Sequence, residues 1–159
     1  METGILARTM ARPTTLDRTS LLAGVRELAA RDRRLARIVD EFGPPPLWAR
    51  PRGFPTLVRI ILEQQVSLAS AAALYAKLDL YFEGKVTPAR VLAPGEAALL
   101  SLGVTRQKAR YVVGLAAQLE SGALSLDRVA RMPDAAAGAT LVQIPGIGPW
   151  TAGVYQLMA

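Results

Sequence analysis

The residues best placed to do chemistry lie in one short stretch, Leu141-Val142-Gln143-Ile144-Pro145-Gly146-Ile147-Gly148-Pro149-Trp150-Thr151-Ala152. Two glycines stand either side of a single apolar residue, and a proline follows. Gly146 and Gly148 can take positive φ, so the backbone can bend sharply and leave its N–H groups facing outward. Pro149 sits where the first residue of a helix belongs. That helix aims its free amides and positive dipole end at the same point. Such a turn can hold a phosphate oxygen without any cationic side chain. Gly146, Gly148 and Thr151 are therefore the candidate phosphate-binding residues, with Ile147 plugged inward to keep the two helices together.

The rest of the composition narrows the chemistry by exclusion. The chain of 159 residues has no cysteine and no histidine. Disulfides, Cys-ligated zinc, iron–sulfur clusters, thiol nucleophiles, imidazole bases and Ser-His-Asp triads are all ruled out. Carboxylates, hydroxyls, three lysines (Lys77, Lys85, Lys108) and the backbone remain. Nineteen Lys and Arg against thirteen Asp and Glu give a net charge of +6, which favours a polyanionic partner. Sixteen of the basic residues are Arg, and with the Ala-rich texture this suggests a GC-rich coding sequence. No signal peptide and no apolar run of transmembrane length is apparent, so a cytoplasmic protein without a membrane partner is expected.

The periodicity that must position the turn is helical throughout, with no period-2 strand and no internal repeat. Residues 1–19 read as a flexible leader. Ser20 is the expected N-cap of a helix with Leu21, Leu22, Val25, Leu28 and Ala29 on one face. Asp32 restarts a short helix with Leu35, Ile38, Val39 and Phe42 inward and Gly43 as its stop. Pro44-Pro45-Pro46 is a stiff spacer. Thr56 is expected to cap an apolar helix that breaks at Glu63-Gln64-Gln65, and an Ala-rich helix follows to Tyr81 or Phe82. Thr87-Pro88 and Pro94 open two short helices. Thr105 caps a longer one with Ala109, Val112, Val113, Leu115, Ala116 and Leu119 buried, ending at Gly122. Short helices near Leu126–Ala130 and Asp134–Val142 precede the turn. The fold class is all-α, a bundle of short helices with a C-terminal helix-hairpin-helix.

Three segments in this order resemble the helix-hairpin-helix (HhH-GPD) DNA glycosylases of base-excision repair, in the 3-methyladenine DNA glycosylase II branch. Ile60-Ile61-Leu62-Glu63-Gln64-Gln65-Val66-Ser67 is similar to the family's element that enters the DNA minor groove. Leu102-Gly103-Val104-Thr105-Arg106-Gln107-Lys108-Ala109-Arg110-Tyr111 is similar to its Gly-turn and Lys-Ala helix. The hairpin at 144–148 is the third. The resemblance implies a partial glycosylase domain over 20–159 and double-stranded DNA as partner, bound by a monomer associated with a bacterial nucleoid. It implies base flipping, with Gln65, beside Gln64, filling the gap left by an extruded nucleotide. Of Arg106, Lys108 and Arg110, Lys108 is assigned a DNA phosphate.

In lyase-type relatives the position two after the second hairpin glycine is a Schiff-base lysine. Here it is Trp150, which implies monofunctional hydrolysis with water as nucleophile. Trp150 as pocket wall can stack on a flipped, cationic alkylpurine, a contact worth up to about 2 kcal/mol when desolvated; the alternative is a core-packing aromatic. Tyr75, Tyr81, Tyr111, Tyr155 and Trp48 read as core or rim. The resemblance also implies a monovalent cation on the carbonyls of Val142, Ile144 and Ile147, and no zinc or iron–sulfur cofactor. The family's catalytic aspartate, which stabilises an oxocarbenium-like transition state, stands roughly twenty residues past the position of Trp150. That is beyond Ala159, so no catalytic residue is assigned. Asp134 reads as an N-cap, and the expectation is an incomplete glycosylase fold that by itself excises no base. A non-catalytic DNA-binding remnant is the alternative.

Overall fold

The structure is a computed structural model and describes residues 16–159, so most of the expected leader lies outside the described residues. Ten helices and no strand are found among them. They divide into a first unit reaching to Trp48 and a second, Ala49–Ala159. The boundary follows the Pro44-Pro45-Pro46 spacer and lies inside the stretch 20–159.

The first unit contains α1 (Arg18–Arg31) and α2 (Arg33–Phe42), packed on each other. Asp17, not Ser20, caps α1. Its carboxylate accepts from the Ser20 amide, and the Ser20 hydroxyl accepts from the Asp17 amide in return. Ser20 is thus the third helical residue of a capping box, a role its hydroxyl fills as readily as an N-cap. The helix takes Arg18 and Thr19 out of the expected leader. Asp32 caps α2, and Gly43 ends it at φ 77°. The inward stripe expected on α2 is not buried: Leu35, Ile38 and Phe42 are exposed, as is Leu28 of α1. Periodicity gives a helix an apolar face but does not supply what covers it.

The second unit is built around α3 (Phe54–Glu63), which is buried on nearly every side through Leu57, Val58, Ile60, Ile61 and Leu62. Each fully buried Leu or Ile contributes about 1.5–3 kcal/mol through its area removed from water. Gly53, at φ 121°, takes the N-cap position in place of Thr56. Thr56 lies in the first turn instead, buried, and its hydroxyl donates to the Pro51 carbonyl at 2.6 Å. Pro55, which brings no N–H to the first turn, moves the start of the helix ahead of the threonine.

Around α3 are α4 (Leu68–Tyr81), capped by Ser67, and α7 (Arg106–Glu120), capped by Thr105. The short α5 (Pro88–Leu92) and α6 (Gly95–Ser101) pack on α7. Then come α8 (Leu126–Val129), α9 (Asp134–Leu141) and α10 (Pro149–Met158), with α10 returning to α3 and α9. Asp134 is the first residue of α9, not its cap: Pro133 holds the cap position without a side-chain bond. The Asp134 carbonyl accepts from the Gln156 side chain of α10. No helix among the described residues is long and apolar enough to cross a membrane.

Tyr155 closes α10 onto the start of α3, with its hydroxyl oxygen accepting from the Gly53 amide at 3.0 Å. Burial pushes this phenol above its ordinary value of 10.0. The folded state therefore holds the proton more tightly than the unfolded chain. The contribution is complete below pH about 10 and is lost as the pH rises through the folded value. Denaturation midpoints measured from pH 8 to pH 11 should fall at the alkaline end, and Tyr155→Phe should flatten that fall.

Candidate nucleic-acid interface

The hairpin begins where α9 stops at Leu141. The Ile144 amide donates to the Leu141 carbonyl, and the Ile147 amide to the Ile144 carbonyl at 2.9 Å. Ile147 is buried and pins the loop to the core as expected, and Ile144 is buried too. Gly146 stands at φ 87°. Gly148 does not take positive φ: it is extended at φ −85°, ψ 176°, the ordinary geometry of a helix N-cap. The sharp bend is thus made by Gly146 alone.

Pro149 opens α10, and the amides of Gly148, Trp150 and Thr151 find no backbone carbonyl among the described residues. These are the donors that a helix start leaves for an anion. A shallow hollow at the turn itself is lined by Gln64, Gln107, Tyr111 and residues 142–148. Trp150 is 70% exposed in the first turn of α10.

Tyr111 of α7 is the floor of this turn. A Cβ on Gly146 would lie 2.3 Å from Cδ2 and 2.4 Å from Cγ of the Tyr111 ring. The Tyr111 hydroxyl oxygen accepts from the Gln107 side chain at 2.7 Å, which fixes the ring. Two independent constraints, the ring and the positive φ, therefore demand glycine at 146.

The break after α3 packs directly against the hairpin. Gln64 is extended and Gln65 is left-handed at φ 56°, rare for a residue with a side chain. Such a conformation costs of order 1–3 kcal/mol and persists only where its surroundings hold it. Gln65 is exposed, with exposed Val66 and Leu68 beside it.

Gln64 is not part of that exposed tip. Its side-chain amide donates to the Gly146 carbonyl at 2.9 Å and to the Thr151 hydroxyl at 3.1 Å. The structure thus engages with the hairpin a side chain that was expected to join Gln65 in intercalation.

The Lys108 ammonium donates to the Leu62 carbonyl at 2.7 Å and the Gln64 carbonyl at 2.8 Å, so it crosses to the end of α3, away from the outward position expected of a phosphate contact. Burial pulls its pKa below the ordinary lysine value. A signal was available in the sequence: a lysine in the first turn of α7 faces the unfavourable dipole end of its own helix. The C-terminal carbonyls of α3 are the favourable end for it. Arg106 and Arg110, on the same helix, are exposed and form none of the ion pairs among the described residues.

A third anchor had no signal in the motifs. Glu63, the last residue of α3, is held by both terminal nitrogens of Arg50, at 2.8 and 3.0 Å, and approached by Arg59 at 3.4 Å. Arg59 in turn lies 5.5 Å from the Tyr75 ring centroid.

Around the hairpin, the carbonyls of Val142 and Ile147 accept no backbone N–H among the described residues, while that of Ile144 accepts one. Neutral carbonyl oxygens are donors that suit a weakly held monovalent cation. The described residues contain no group of three or more acidic side chains that could hold a metal ion.

Residues 58–149, more than half the chain, match the family described as "HhH-GPD superfamily base excision DNA repair protein". The chain belongs to this superfamily. Among curated HhH-GPD relatives, it is 33% identical over 119 residues to "DNA-3-methyladenine glycosylase" of Bacillus subtilis, covering 68% of this chain and 39% of the relative. It is 33% identical over 110 residues to "DNA-3-methyladenine glycosylase 2" of Escherichia coli, covering 63% and 38%. The chain thus spans under two fifths of these relatives. A crystal structure of a DNA-3-methyladenine glycosidase from Bacillus halodurans superposes with a TM-score of 0.72 at 29% identity, over 85% of this chain and 63% of that one. The all-α bundle with its C-terminal hairpin is the HhH-GPD fold. The matched region contains the Gln64–Gln65 break, the Lys108 helix and the hairpin, while Trp150 falls just past it.

Proposed function

We propose that this chain engages double-stranded DNA as a base-excision repair N-glycosylase of the 3-methyladenine type, removing alkylated purines by flipping and monofunctional hydrolysis. One observation carries the reading. An exposed left-handed Gln65 and an anion-receptive hairpin stand on one surface, joined through Gln64. The names of the relatives, DNA-3-methyladenine glycosylases, supply the substrate class.

On this reading the amides of Gly148, Trp150 and Thr151 take a backbone phosphate, and Arg106 and Arg110 add charge at longer range. Gly146 supplies the bend, and its amide, which likewise finds no carbonyl among the described residues, adds a further donor. Gln65 enters the stack to replace the extruded nucleotide, a step that offsets an unstacking cost of a few kcal/mol. Trp150 offers its face to the flipped base; a cationic purine is favoured there over a neutral one. A tryptophan at this position brings no amine for covalent catalysis. A monovalent cation on the carbonyls of Val142, Ile144 and Ile147 would neutralise part of the phosphate charge that the hairpin faces. The protein would act as a monomer on the DNA of a bacterial cytoplasm.

The test is release of base from a duplex carrying an alkylated purine, with binding to an undamaged duplex followed across a salt series. Release supports the full reading. A binding constant that falls with salt, without release, would leave a non-catalytic DNA-binding protein. Affinity that ignores salt would overturn both. In the same assay Gln65→Ala should retain binding to undamaged duplex and lose at least tenfold in the extrusion signal of a 2-aminopurine reporter, as expected for a residue worth ~1.4 kcal/mol or more to the flipped state.

A further inference from the structure

Three segments far apart in the chain converge on Gln64. Its carbonyl is held by Lys108 of α7, 44 positions later, and its side-chain amide by Gly146 and Thr151, 82 and 87 positions later. The Lys108 ammonium also takes the Leu62 carbonyl, so it bridges two of the last carbonyls of α3, which have no partner within the helix. Beyond this clamp the chain turns left-handed at Gln65 and is exposed. No hydrogen bond from the Gln65 side chain is present among the described residues that would hold the turn from its own end.

We propose that Gln64 and Lys108 are positioning residues that lock the Gln65 turn to the hairpin, so that the element filling the helical gap and the element gripping phosphate move as one rigid piece. This rests on the DNA-engaging reading above and goes further. It assigns Lys108 no phosphate and makes the register between hairpin and Gln65 a property of two buried or half-buried polar contacts. The physical advantage is preorganisation. A strained turn that is already held when DNA arrives loses less conformational freedom on binding. Thr151 contributes twice, through its amide at the start of α10 and through its hydroxyl, which accepts from Gln64 and ties that helix start to the same clamp.

The experiment uses the full chain and three variants, Lys108→Met, Lys108→Arg and Gln64→Met. In the DNA-free protein, the heteronuclear NOE of the Gln65 amide should fall in both methionine variants. It should recover in Lys108→Arg, whose guanidinium can still donate to two carbonyls. With a duplex carrying 2-aminopurine opposite an abasic-site analogue, the change in fluorescence on gap filling should shrink roughly tenfold in the methionine variants, in keeping with the loss of the two hydrogen bonds that each side chain donates. The salt dependence of binding to undamaged duplex should stay as in the unmodified chain.

If Lys108 contacts phosphate instead, Lys108→Met lowers the salt slope by about 0.9 and leaves the Gln65 amide rigid. That result, or an amide equally rigid in all variants, overturns the proposal. Should the unmodified chain fail to bind DNA, the functional reading falls while the amide measurement still decides the clamp. Should Lys108→Met not fold, Gln64→Met and Lys108→Arg decide it by the same amide.

Discussion

Replacing Gly146 with alanine is expected to lower the melting temperature by about 10–15 °C, the largest effect of any single methyl group added to the hairpin. Two costs combine. At φ 87° an alanine is strained by about 1–2 kcal/mol. Its Cβ would also fall 2.3–2.9 Å from three carbons of the Tyr111 ring, and overpacking of this kind costs about 1–3 kcal/mol. The ring cannot simply swing away, because its hydroxyl is bonded to Gln107 and it lies against the core.

The two costs can be separated by experiment. In a Tyr111→Ala background the same substitution should lose only the strain part, so the pair should be non-additive by about 1–3 kcal/mol. By contrast Gly148→Ala, at an extended residue with nothing within 4 Å of a new Cβ, should shift the midpoint little. Equal effects at 146 and 148 in thermal melts would mean that the bend is shared, against the geometry described.

This contrast also marks how far the sequence was legible. Pro-Gly-Ile-Gly-Pro-Trp announced a turn because glycine and proline restrict or free φ locally, whatever surrounds them. Which glycine bends was not readable, since that depends on a tyrosine 35 positions earlier. Helix starts were legible where the cap residue stood alone before a periodic run, as at Asp32, Thr87 and Thr105. They were misplaced where a neighbour could do the same job: Asp17 ahead of Ser20, Gly53 with Pro55 ahead of Thr56, Pro133 ahead of Asp134. Those are local competitions between two acceptable caps, and only the fold decides them.

The site divides the same way. Gln65 stood out because the resemblance puts the gap-filling residue at the break after α3, and Trp150 because it stands where lyase-type relatives carry a lysine. Gln64 and Lys108 look like surface residues in sequence. Their side chains turn inward because half-buried carbonyls without a helical partner need one: those at the end of α3, and that of Gly146 in the bend. A motif can flag a lysine as basic but cannot give the direction in which its four-carbon stem points.

Glu63 completes the base of the Gln65 turn, and Glu63→Gln is expected to destabilise the chain by about 2–3 kcal/mol in urea unfolding. The carboxylate is only 13% exposed and neutralises Arg50, itself 20% exposed, through two parallel bonds. Removing one partner of a largely buried pair leaves the other charge in a poor solvent, the usual source of losses of a few kcal/mol. Here a second guanidinium is affected. The Arg59 Nε is buried without a hydrogen bond, and its favourable neighbours are Glu63 at 3.4 Å and the Tyr75 ring. Arg59 keeps the ring when Glu63 is lost, whereas Arg50 keeps nothing of comparable strength.

If unpaired charge is the cause, Arg50→Met with Glu63→Leu should be less damaging than Glu63→Gln alone, because an apolar pair needs no desolvated partner. A double variant as unstable as the sum of its parts would instead point to packing around Arg50. The functional consequence separates from the stability one by position. Glu63 immediately precedes Gln64, so a loosened end of α3 should reduce gap filling by Gln65 even at temperatures where the chain remains folded. Lys108 would still hold the Gln64 carbonyl, and the loss should be smaller than in Lys108→Met.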